Sequence, residues 1–314
     1  MSTAAGTVTT AMVWVHGQRF PMGSDAFYPE ERPAHQAEVA GFWIDRHPVT
    51  NADFAAFVAA TGYLTLAERV PSARDYPGAD PDTLVPGSLV FHPTSGPVDL
   101  GDYFAWWRYL PGACWHQPTG PGSSLKGMAR HPVVHVAYAD AAAYAAWAGK
   151  ALPTEQEWEC AARGGREDSA YAWGDDPLPQ GQVLANTWQG RFPWENLTLD
   201  GYQRTSPIGA FPPNDYGLLD MIGNVWEWTN SPYRPHTHTT GNPAPQPKSC
   251  CTPTTSSPPT EQDRPTSTRV VKGGSHLCAP NYCLRYRPSA RQPQTADTST
   301  GHLGFRCVVR AGGH

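Results

Sequence analysis

The abundance of glycine and proline constrains this chain more than any other feature of its sequence. Its 314 residues include 30 glycines and 33 prolines, about one residue in five. Proline fixes φ and lacks a backbone N–H, and glycine is entropically costly to order, so both interrupt helices and strands. A hydrophobic content of 39% and 12 tryptophans still provide enough apolar surface for a packed core. We therefore predict one globular domain of short elements joined by ordered loops.

The charge pattern argues against several classes of partner. The net charge is −5, and the sequence contains no basic stripe, so nucleic acid is not an expected partner. No apolar run approaches the length needed to cross a bilayer, so no membrane association is expected. The N-terminal residues lack a basic region before an apolar core, which predicts a cytoplasmic chain without a signal peptide.

Local patterns in the first part of the chain predict strands followed by a helix. Residues 12–23 indicate two short strands around a glycine turn, and residues 35–50 are typical of extended chain. A helix is predicted from about Asn51, because Thr50 can cap its N-terminus and Gly62 can end it.

Further along, regular structure is predicted only in places. Residues 68–130 are expected to be irregular, whereas 133–138 (VVHVAY) are a candidate strand. A helix is predicted over 137–150, and a second helix runs from Thr154, which begins a Thr-x-x-Glu capping box, to Gly164.

The domain organisation follows from composition. Residues 1–11 are predicted to form a disordered tail, and residues 12–314 a single domain. The Pro/Ser/Thr-rich stretch 231–268 is predicted to be a flexible surface loop within that domain.

Cysteine usage suggests reduced thiols. An odd number of cysteines in a chain predicted to be cytosolic argues against a disulfide framework, and the spacing of a four-cysteine zinc site is missing. The neighbouring Cys250 and Cys251 lie in the Pro/Ser/Thr-rich run and are interpreted as a loop feature without chemistry. The seven cysteines are Cys114, Cys160, Cys250, Cys251, Cys278, Cys283 and Cys307.

Cys278 and Cys283 allow two interpretations. Five residues apart on a looped segment, two thiolates can converge on one soft ion such as Cu(I). They can equally be two buried free thiols that act as small hydrophobic side chains. Spacing alone favours the buried thiols.

Oxygen donors near the middle of the chain also allow two interpretations. Asn186, Asp200, Asp220 and Glu227 lie in loop-like segments, and calcium accepts about six to eight oxygen ligands in irregular loops. The alternative is that these are ordinary turn residues, which spacing alone favours. A fold poor in regular elements and without disulfides nevertheless leaves room for metal cross-links.

Several motifs together resemble the formylglycine-generating enzymes. The two cysteines lie in GGSHLCAPNYCLRYR (273–287), and the pattern GGS-x-x-C-x4-C-x-RYR is specific to the catalytic branch of that family. The similarity runs from about residue 12 to 309 and leaves 231–268 outside it. Other parts, such as LPTE-x-EWE and GN-x-WEW, also occur in non-catalytic relatives. The remaining matching strings are FPMGS (20–24), HPVVHV (131–136), WAGKALPTEQEWE (147–159), ANTWQGRFP (185–193), FPPNDYGLLDMIGNVWEW (211–228), SAR (289–291) and HLGFRC (302–307).

This resemblance implies a specific oxidoreductase. Members of the family resemble C-type lectins in fold, an α+β domain with little regular secondary structure and bound calcium. They oxidise the cysteine of a Cys-x-Pro-x-Arg motif in an unfolded sulfatase chain to Cα-formylglycine, using O₂ and a thiol reductant, and so activate the sulfatase. By the match, Cys278 and Cys283 hold Cu(I), and the substrate cysteine adds a third thiolate. Ser275 and Trp226 line the pocket, and Tyr282 lies beside the copper.

The resemblance also implies two calcium sites and a monomer. A groove that accepts an unfolded chain favours an accessible monomer. One calcium site would use Asn186, Asp200 and the carbonyls of Thr187 and Tyr202, and the other Asp220, Glu227 and the carbonyls of Gly223 and Val225.

The chain departs from the family at its disulfides. Secreted relatives carry two disulfide bridges. Here Cys307 matches one cysteine of the first bridge, but Ala145 stands at the position of its partner, and Ala162 and Pro288 stand at the two positions of the second bridge. Both bridges are therefore excluded. A glutamate that some relatives use for calcium is Pro48 here.

The substrate groove is less clearly defined. His302 occupies the position of a polar asparagine and is a candidate for contact with the peptide. Residues 68–100 do not align securely, and an acidic pocket for the substrate arginine is expected in or near them. Candidates are Asp75, Asp80 and Asp82, each of which can also be a solvated loop residue.

Two other functions remain open. An iron enzyme like the ergothioneine sulfoxide synthases would need a histidine/carboxylate triad on a separate helical bundle, which the chain has no room for. A calcium-dependent lectin-like binding module would have no reason to keep the cysteine pair together with Ser275 and Tyr282.

Overall fold

The computed structural model of the protein describes residues 12–236 and 267–311. The predicted tail (1–11) and most of the predicted loop (237–266) lie outside these ranges. Within them, no helix combines the length and the apolar character that a membrane crossing requires.

Three short helices form, and local capping signals predicted both boundaries of two of them. The Thr50 hydroxyl accepts a hydrogen bond from the Asp53 N–H at the start of α1, and Gly62 ends α1 in the left-handed conformation. Thr154 and Gly164 bound α3 in the same way. The helices are α1 (Asn51–Thr61), α2 (Tyr138–Trp147) and α3 (Glu155–Arg163).

Eleven short strands in the described residues form four small sheets. β10 pairs with β7 in parallel, and the other described pairs are antiparallel. The sheet orders are β1-β4-β11, β10-β7-β8-β9, β2-β3 and β5-β6. The architecture is therefore the predicted α+β type with little regular structure. The strands are β1 (Met12–Val15), β2 (Gln18–Met22), β3 (His35–Val39), β4 (Phe42–Asp45), β5 (Gly87–Phe91), β6 (Trp107–Pro111), β7 (Trp226–Pro232), β8 (Thr268–Lys272), β9 (Arg291–Thr295), β10 (Leu303–Gly304) and β11 (Val308–Arg310).

The strand predicted over 133–138 is wrong. Residues 133–137 are buried, but His135 has a φ of 60°, which breaks an extended run. The His135 imidazole is fixed by Ser88 Oγ at 2.7 Å and by the Pro118 carbonyl at 2.9 Å. Contacts with distant residues therefore override the local β-pattern.

The prediction that 68–130 is irregular is also wrong in part. β5 and β6 form a hairpin there, with Val90 and Trp107 buried. At the two ends of the predicted surface loop the chain is in strands, because β7 runs to Pro232 and β8 starts at Thr268.

Buried ion pairs cross-link this loop-rich fold. Five cysteines are described, and all are free thiols, so no disulfide does this work among the described residues. The Arg306 guanidinium binds the Glu227 carboxylate at 2.7 Å with both groups almost fully buried. Removing one partner of such a pair typically costs about 3–5 kcal/mol. Further buried pairs are Lys272–Glu159, Arg291–Glu155, Arg287–Glu31 and Arg285–Glu30.

Candidate active site

The segment between β8 and β9 brings the cysteine pair together. Gly274 adopts a φ of +71°, and a Cβ there would lie 2.8 Å from the Arg285 carbonyl oxygen, so the chain can fold back on itself only with glycine at this position. Cys278 and Cys283 then face each other with their sulfurs 3.1 Å apart. This distance is well beyond the about 2.05 Å of a disulfide. The pair is therefore reduced, and both thiols are buried.

Polar groups next to the sulfurs provide hydrogen bonds and positive charge. The Ser275 backbone N–H points at Cys278 Sγ (3.4 Å), and Arg285 Nη1 lies 3.8 Å from Cys283 Sγ. Arg285 is held in place by Glu30 Oε1 at 2.6 Å and by the Tyr28 ring, 3.7 Å from its guanidinium carbon. A backbone N–H donor and a guanidinium therefore lie next to the two sulfurs.

A narrow cleft opens onto the two cysteines. The Tyr282 ring stacks on Phe192 at 4.5 Å, and Trp107 packs against His302 at 4.8 Å. The cleft brings together the six residues that the resemblance assigned to catalysis and peptide contact. Its lining is Trp106, Trp107, Phe192, Trp226, Ser275, Leu277, Cys278, Tyr282, Cys283 and His302.

Two histidines near the pair differ in orientation. His302 is buried, lines the cleft, and contacts Thr300 Oγ1 through Nδ1 at 2.6 Å. His276 is turned away, because its Nδ1 contacts the Asn224 carbonyl at 2.8 Å. Burial lowers the pKa of His276 to about 3, so its imidazole is neutral at physiological pH.

The aromatic walls of the cleft were missed by sequence reasoning. Trp106 and Trp107 belong to the aromatic run YFAWWRY (103–109), which lies in the stretch that was expected to be irregular. Phe192 lies in the matching string ANTWQGRFP. Arg285 is the first arginine of RYR, but its partner Glu30 lies 255 residues away, and no local signal connects the two.

The first candidate calcium site is built around a buried acceptor without a partner. Asn186 Nδ2 donates to the Arg204 carbonyl at 2.8 Å, which leaves Asn186 Oδ1 buried with no hydrogen-bond partner. The Gln189 amide contacts both the Thr187 carbonyl and Asp200 Oδ2. A buried oxygen without a partner fits a cation, which would have to displace the Gln189 amide from Thr187 and Asp200 to use their oxygens. Gln189 was not predicted from the sequence.

Asp200 is also tied to the fourth residue of this site. Its Oδ1 accepts a hydrogen bond from the Tyr202 backbone N–H at 2.9 Å. The four predicted members therefore lie on two loops that meet at the Gln189 side chain.

The second candidate site also contains an orphaned oxygen. Asp220 Oδ2 is buried without a partner, and burial raises the pKa of this carboxyl to about 6. A Cβ on Gly223 would lie 2.5 Å from the Asn186 carbonyl oxygen, so the two candidate sites share a contact through their backbones. The donor set around Asp220 fits a cation that would neutralise it.

Glu227 is less available than the sequence suggested. Its Oε2 accepts from Trp158 Nε1 at 2.8 Å and from Arg306 Nε at 2.7 Å, and its Oε1 accepts from Arg306 Nη2 at 2.7 Å. A carboxylate has about four acceptor positions, so one remains on Oε1. Val225, the neighbouring candidate, is buried in the same segment.

The three acids proposed for the substrate-arginine pocket do not line the cleft. Asp75, Asp80 and Asp82 are all exposed, and Asp80 Oδ1 caps a 3-10 turn by accepting from the Asp82 N–H at 3.0 Å. The structure favours the solvated-loop interpretation.

Comparison with known proteins identifies the family of the chain. The profile of the Sulfatase-modifying factor enzyme 1-like domain matches residues 1–311. The formylglycine-generating enzyme of Mycobacterium tuberculosis is 55% identical over 300 residues, covering 96% of this chain and 98% of that protein. The corresponding enzyme of Thermomonospora curvata is 44% identical over 312 residues, covering 96% and 94%. A mouse protein named inactive Cα-formylglycine-generating enzyme 2 is 38% identical over 314 residues, covering 96% and 86%.

A solved structure supports the fold. PvdO from Pseudomonas aeruginosa superposes with a TM-score of 0.62 at 23% identity, covering 95% of this chain and 93% of PvdO. The fold is thus the C-type-lectin-like α+β fold that the resemblance implied. The chain belongs to the sulfatase-modifying factor enzyme 1-like family, which includes the formylglycine-generating enzymes.

Proposed function

We propose that this protein is a copper-dependent oxidase that converts the cysteine of a Cys-x-Pro-x-Arg motif in unfolded sulfatases to Cα-formylglycine, and thereby activates them. Its co-substrates would be O₂ and a thiol reductant. One observation carries the proposal. Cys278 and Cys283 are reduced, lie 3.1 Å apart, and line a narrow aromatic cleft.

The cysteine pair fits Cu(I) as a donor set. Thiolates are soft ligands that select Cu(I) over hard ions. A metal–thiolate bond is about 2.3 Å long, so the two sulfurs, now 3.1 Å apart, would need to separate by about 1 Å or more to hold one ion in a trigonal or linear arrangement. Two thiolates on a monovalent ion leave one net negative charge, and the guanidinium of Arg285, which is itself paired with Glu30, lies beside Cys283. Bound there, copper would bind the substrate sulfur and supply the one-electron chemistry that O₂ requires.

Electron counting explains the reductant. Converting a –CH₂SH group to an aldehyde, with sulfur leaving as H₂S, removes two electrons from carbon. Reduction of O₂ to water consumes four electrons. The remaining two come from two reductant thiols, which form a disulfide. In the balanced sum one oxygen atom is in the aldehyde and the other is in water, and the protons go to water and H₂S.

The walls of the cleft position the substrate and keep water out. Trp106, Phe192 and Tyr282 form an interlocked aromatic cluster, with Trp106 edge-on to Phe192 at 5.3 Å and to Tyr282 at 5.4 Å. Excluding water from a site strengthens electrostatic interactions and prevents side reactions. Ser275 orients the pair, because its backbone N–H points at Cys278 Sγ and its hydroxyl accepts from the Leu277 N–H at 3.2 Å. His302 and Trp226 would contact the substrate segment.

Calcium would act as a structural ion at the two loop sites. The orphaned oxygens Asn186 Oδ1 and Asp220 Oδ2 support this assignment, since buried polar atoms are normally paired. The five reduced cysteines of the described residues fit the proposed cytoplasmic location. A monomer leaves the cleft accessible to an unfolded chain.

A peptide assay tests the proposed activity. A short Cys-x-Pro-x-Arg peptide is incubated with protein, Cu(I), O₂ and dithiothreitol, and mass spectrometry scores replacement of the thiol by an aldehyde. Turnover should depend on all three additions and be absent for a matched peptide with serine in place of cysteine. Binding of the peptide without oxidation, in the copper-loaded protein, would contradict the oxidase and support a binding module.

A further inference from the structure

A second cluster of metal-binding side chains lies outside the cleft. Among the residues that the structure describes, Glu68, Cys114 and His116 form a group of three different ligand types. One ligand atom from each, a carboxylate oxygen, Sγ and an imidazole nitrogen, lies within 4.8 Å of the other two. The geometry points to a site for Zn²⁺ or a similar borderline divalent ion at this cluster, separate from the copper pair.

Cys114 and His116 are presented by a tight turn beyond β6. Cys114 and Gln117 exchange backbone hydrogen bonds of 3.3 and 3.1 Å, which close the turn. Between the two ligands, Trp115 is buried and packs edge-on against Phe54 at 5.2 Å. Anchoring the middle residue in the core fixes the backbone on both sides, so the sulfur and the imidazole are held near each other.

Glu68 is fixed from the other side of the cluster. Its Oε2 accepts hydrogen bonds from the Thr65 N–H (2.9 Å) and the Thr65 hydroxyl (2.6 Å). This leaves Oε1 facing His116 Nε2 at 3.2 Å. One carboxylate oxygen is therefore used for capping while the other points to the cluster, as expected for a ligand with a fixed orientation.

The ligand types select the ion. Sulfur disfavours calcium and magnesium, which take oxygen ligands. Thiolate, imidazole and carboxylate are the usual ligands of zinc, at about 2.0–2.3 Å. Ligand atoms within 4.8 Å need to close by only about 1 Å to reach tetrahedral spacing. His116 has a side chain 45% exposed, so it can make this adjustment and leave a path for the ion.

Three protein ligands leave a fourth position for water or another molecule. The ion would also connect two loops of little regular structure. Cys114 lies three residues beyond the end of β6, and Trp107 at the start of β6 lines the cleft. A metal bound here would thus stiffen a strand that forms one wall of the catalytic cleft.

A simpler arrangement is a hydrogen-bonded Glu68–His116 pair with no metal. That pair explains the 3.2 Å contact but gives no role to the neighbouring sulfur. Burial raises the pKa of the Cys114 thiol, while backbone hydrogen bonds from His116 and Gln117 oppose this shift. Metal binding would displace the thiol proton, whereas the simpler arrangement would retain it.

Cobalt provides a spectroscopic test. To remove competing thiols, Cys250, Cys251, Cys278 and Cys283 are replaced by serine, and this background protein is titrated with Co²⁺. We expect one equivalent to bind with a sulfur-to-cobalt charge-transfer band that Zn²⁺ displaces. Cys114→Ser should abolish the band, and Cys160→Ser, a matched buried thiol, should retain it. Absence of the band in the background, or its survival in Cys114→Ser, would overturn the site.

Thermal stability gives a second readout, which does not require that the Cys114→Ser variant folds. In the same background, Zn²⁺ should raise the Tm by several degrees, because it binds the folded state. Losing a residue that only hydrogen-bonds to a metal ligand typically weakens metal binding roughly 10–100-fold. His116→Gln removes a ligand itself, so it should weaken Zn²⁺ binding by more than this and abolish the rise in Tm. His16→Gln, at an exposed histidine away from the cluster, should keep it. An equal Tm shift in His116→Gln would contradict the proposal.

Discussion

Cys278 and Cys307 are both almost completely buried, at 2% and 0% exposure, but their surroundings differ. Cys278 faces a second sulfur at 3.1 Å and lines a cleft, with a backbone N–H pointing at it. Cys307 belongs to the same apolar core cluster but does not line the cleft, and burial and the Asp45 carboxylate raise the pKa of its thiol well above the usual range. Burial alone therefore says little about what a cysteine does. Access and neighbouring charge distinguish a reactive pair from a core side chain.

The largest contrast is expected in turnover. Cys278→Ser and Cys283→Ser should each lower the rate of aldehyde formation at least about a thousandfold, the scale on which loss of an essential catalytic group is measured. Cys160→Ser, a buried thiol outside the cleft, should stay within about twofold of the unsubstituted protein in the peptide assay. Near-normal turnover in Cys278→Ser or Cys283→Ser would show that the cysteines of the cleft are no more important for catalysis than a buried cysteine outside it.

Alkylation should separate the thiols next. In metal-free protein, iodoacetamide should label Cys278 or Cys283 roughly a hundredfold faster than Cys160, because the pair is reached through the cleft and lies beside positive charge. Burial raises the pKa of Cys160 to about 11, which keeps it protonated and slow. Peptide mapping of the labelled protein over time measures the order. Labelling of Cys160 at the same rate would show that the cleft gives no preferential access.

Calcium should change how stability depends on pH. Without the ion, the folded-state pKa of Asp220 is about 6, above its unfolded value of about 3.9. The folded protein then holds this proton more tightly, so the contribution of Asp220 is greatest below about pH 4 and is lost as pH rises through about 6. The change is about 2–3 kcal/mol in the free energy of unfolding.

Denaturant titrations across this pH range, with chelator or with calcium, measure that change. Calcium should abolish this decrease in the free energy of unfolding, because it pairs with the Asp220 carboxylate. Asp220→Asn should show no such decrease, with or without calcium. The same fall in saturating calcium would mean that Asp220 binds no ion.

The smallest expected effect concerns the guanidinium beside the pair. Arg285→Gln should slow alkylation of Cys283 roughly tenfold, because the positive charge 3.8 Å from its sulfur is lost. Arg19→Gln, which breaks an exposed pair with Glu38, is the matched control and should leave the rate unchanged. An unchanged rate of Cys283 labelling in Arg285→Gln would show that Arg285 pairs with Glu30 without affecting the reactivity of the thiol.

Sequence patterns predicted the local features best. Thr50, Gly62, Thr154 and Gly164 bound helices as expected, because capping depends on residues within one turn. By contrast, the backbone at His135 is set by contacts with Ser88 and Pro118, far away in the chain.

The candidate site could be predicted only in part. Spacing alone did not distinguish a metal-binding pair from two buried thiols at Cys278 and Cys283, and the resemblance to a family carried that prediction. The walls of the cleft depend on pairing of β5 with β6 and on the contact of Arg285 with Glu30, 255 residues apart. Such long-range contacts leave no periodic signal in the sequence.

X-ray absorption at the copper edge tests the central claim most directly. Protein loaded with one equivalent of Cu(I) should show two sulfur ligands, and three after addition of a Cys-x-Pro-x-Arg peptide. Copper surrounded only by nitrogen or oxygen, or a sulfur count unchanged in the Cys278→Ser/Cys283→Ser double variant, would contradict it.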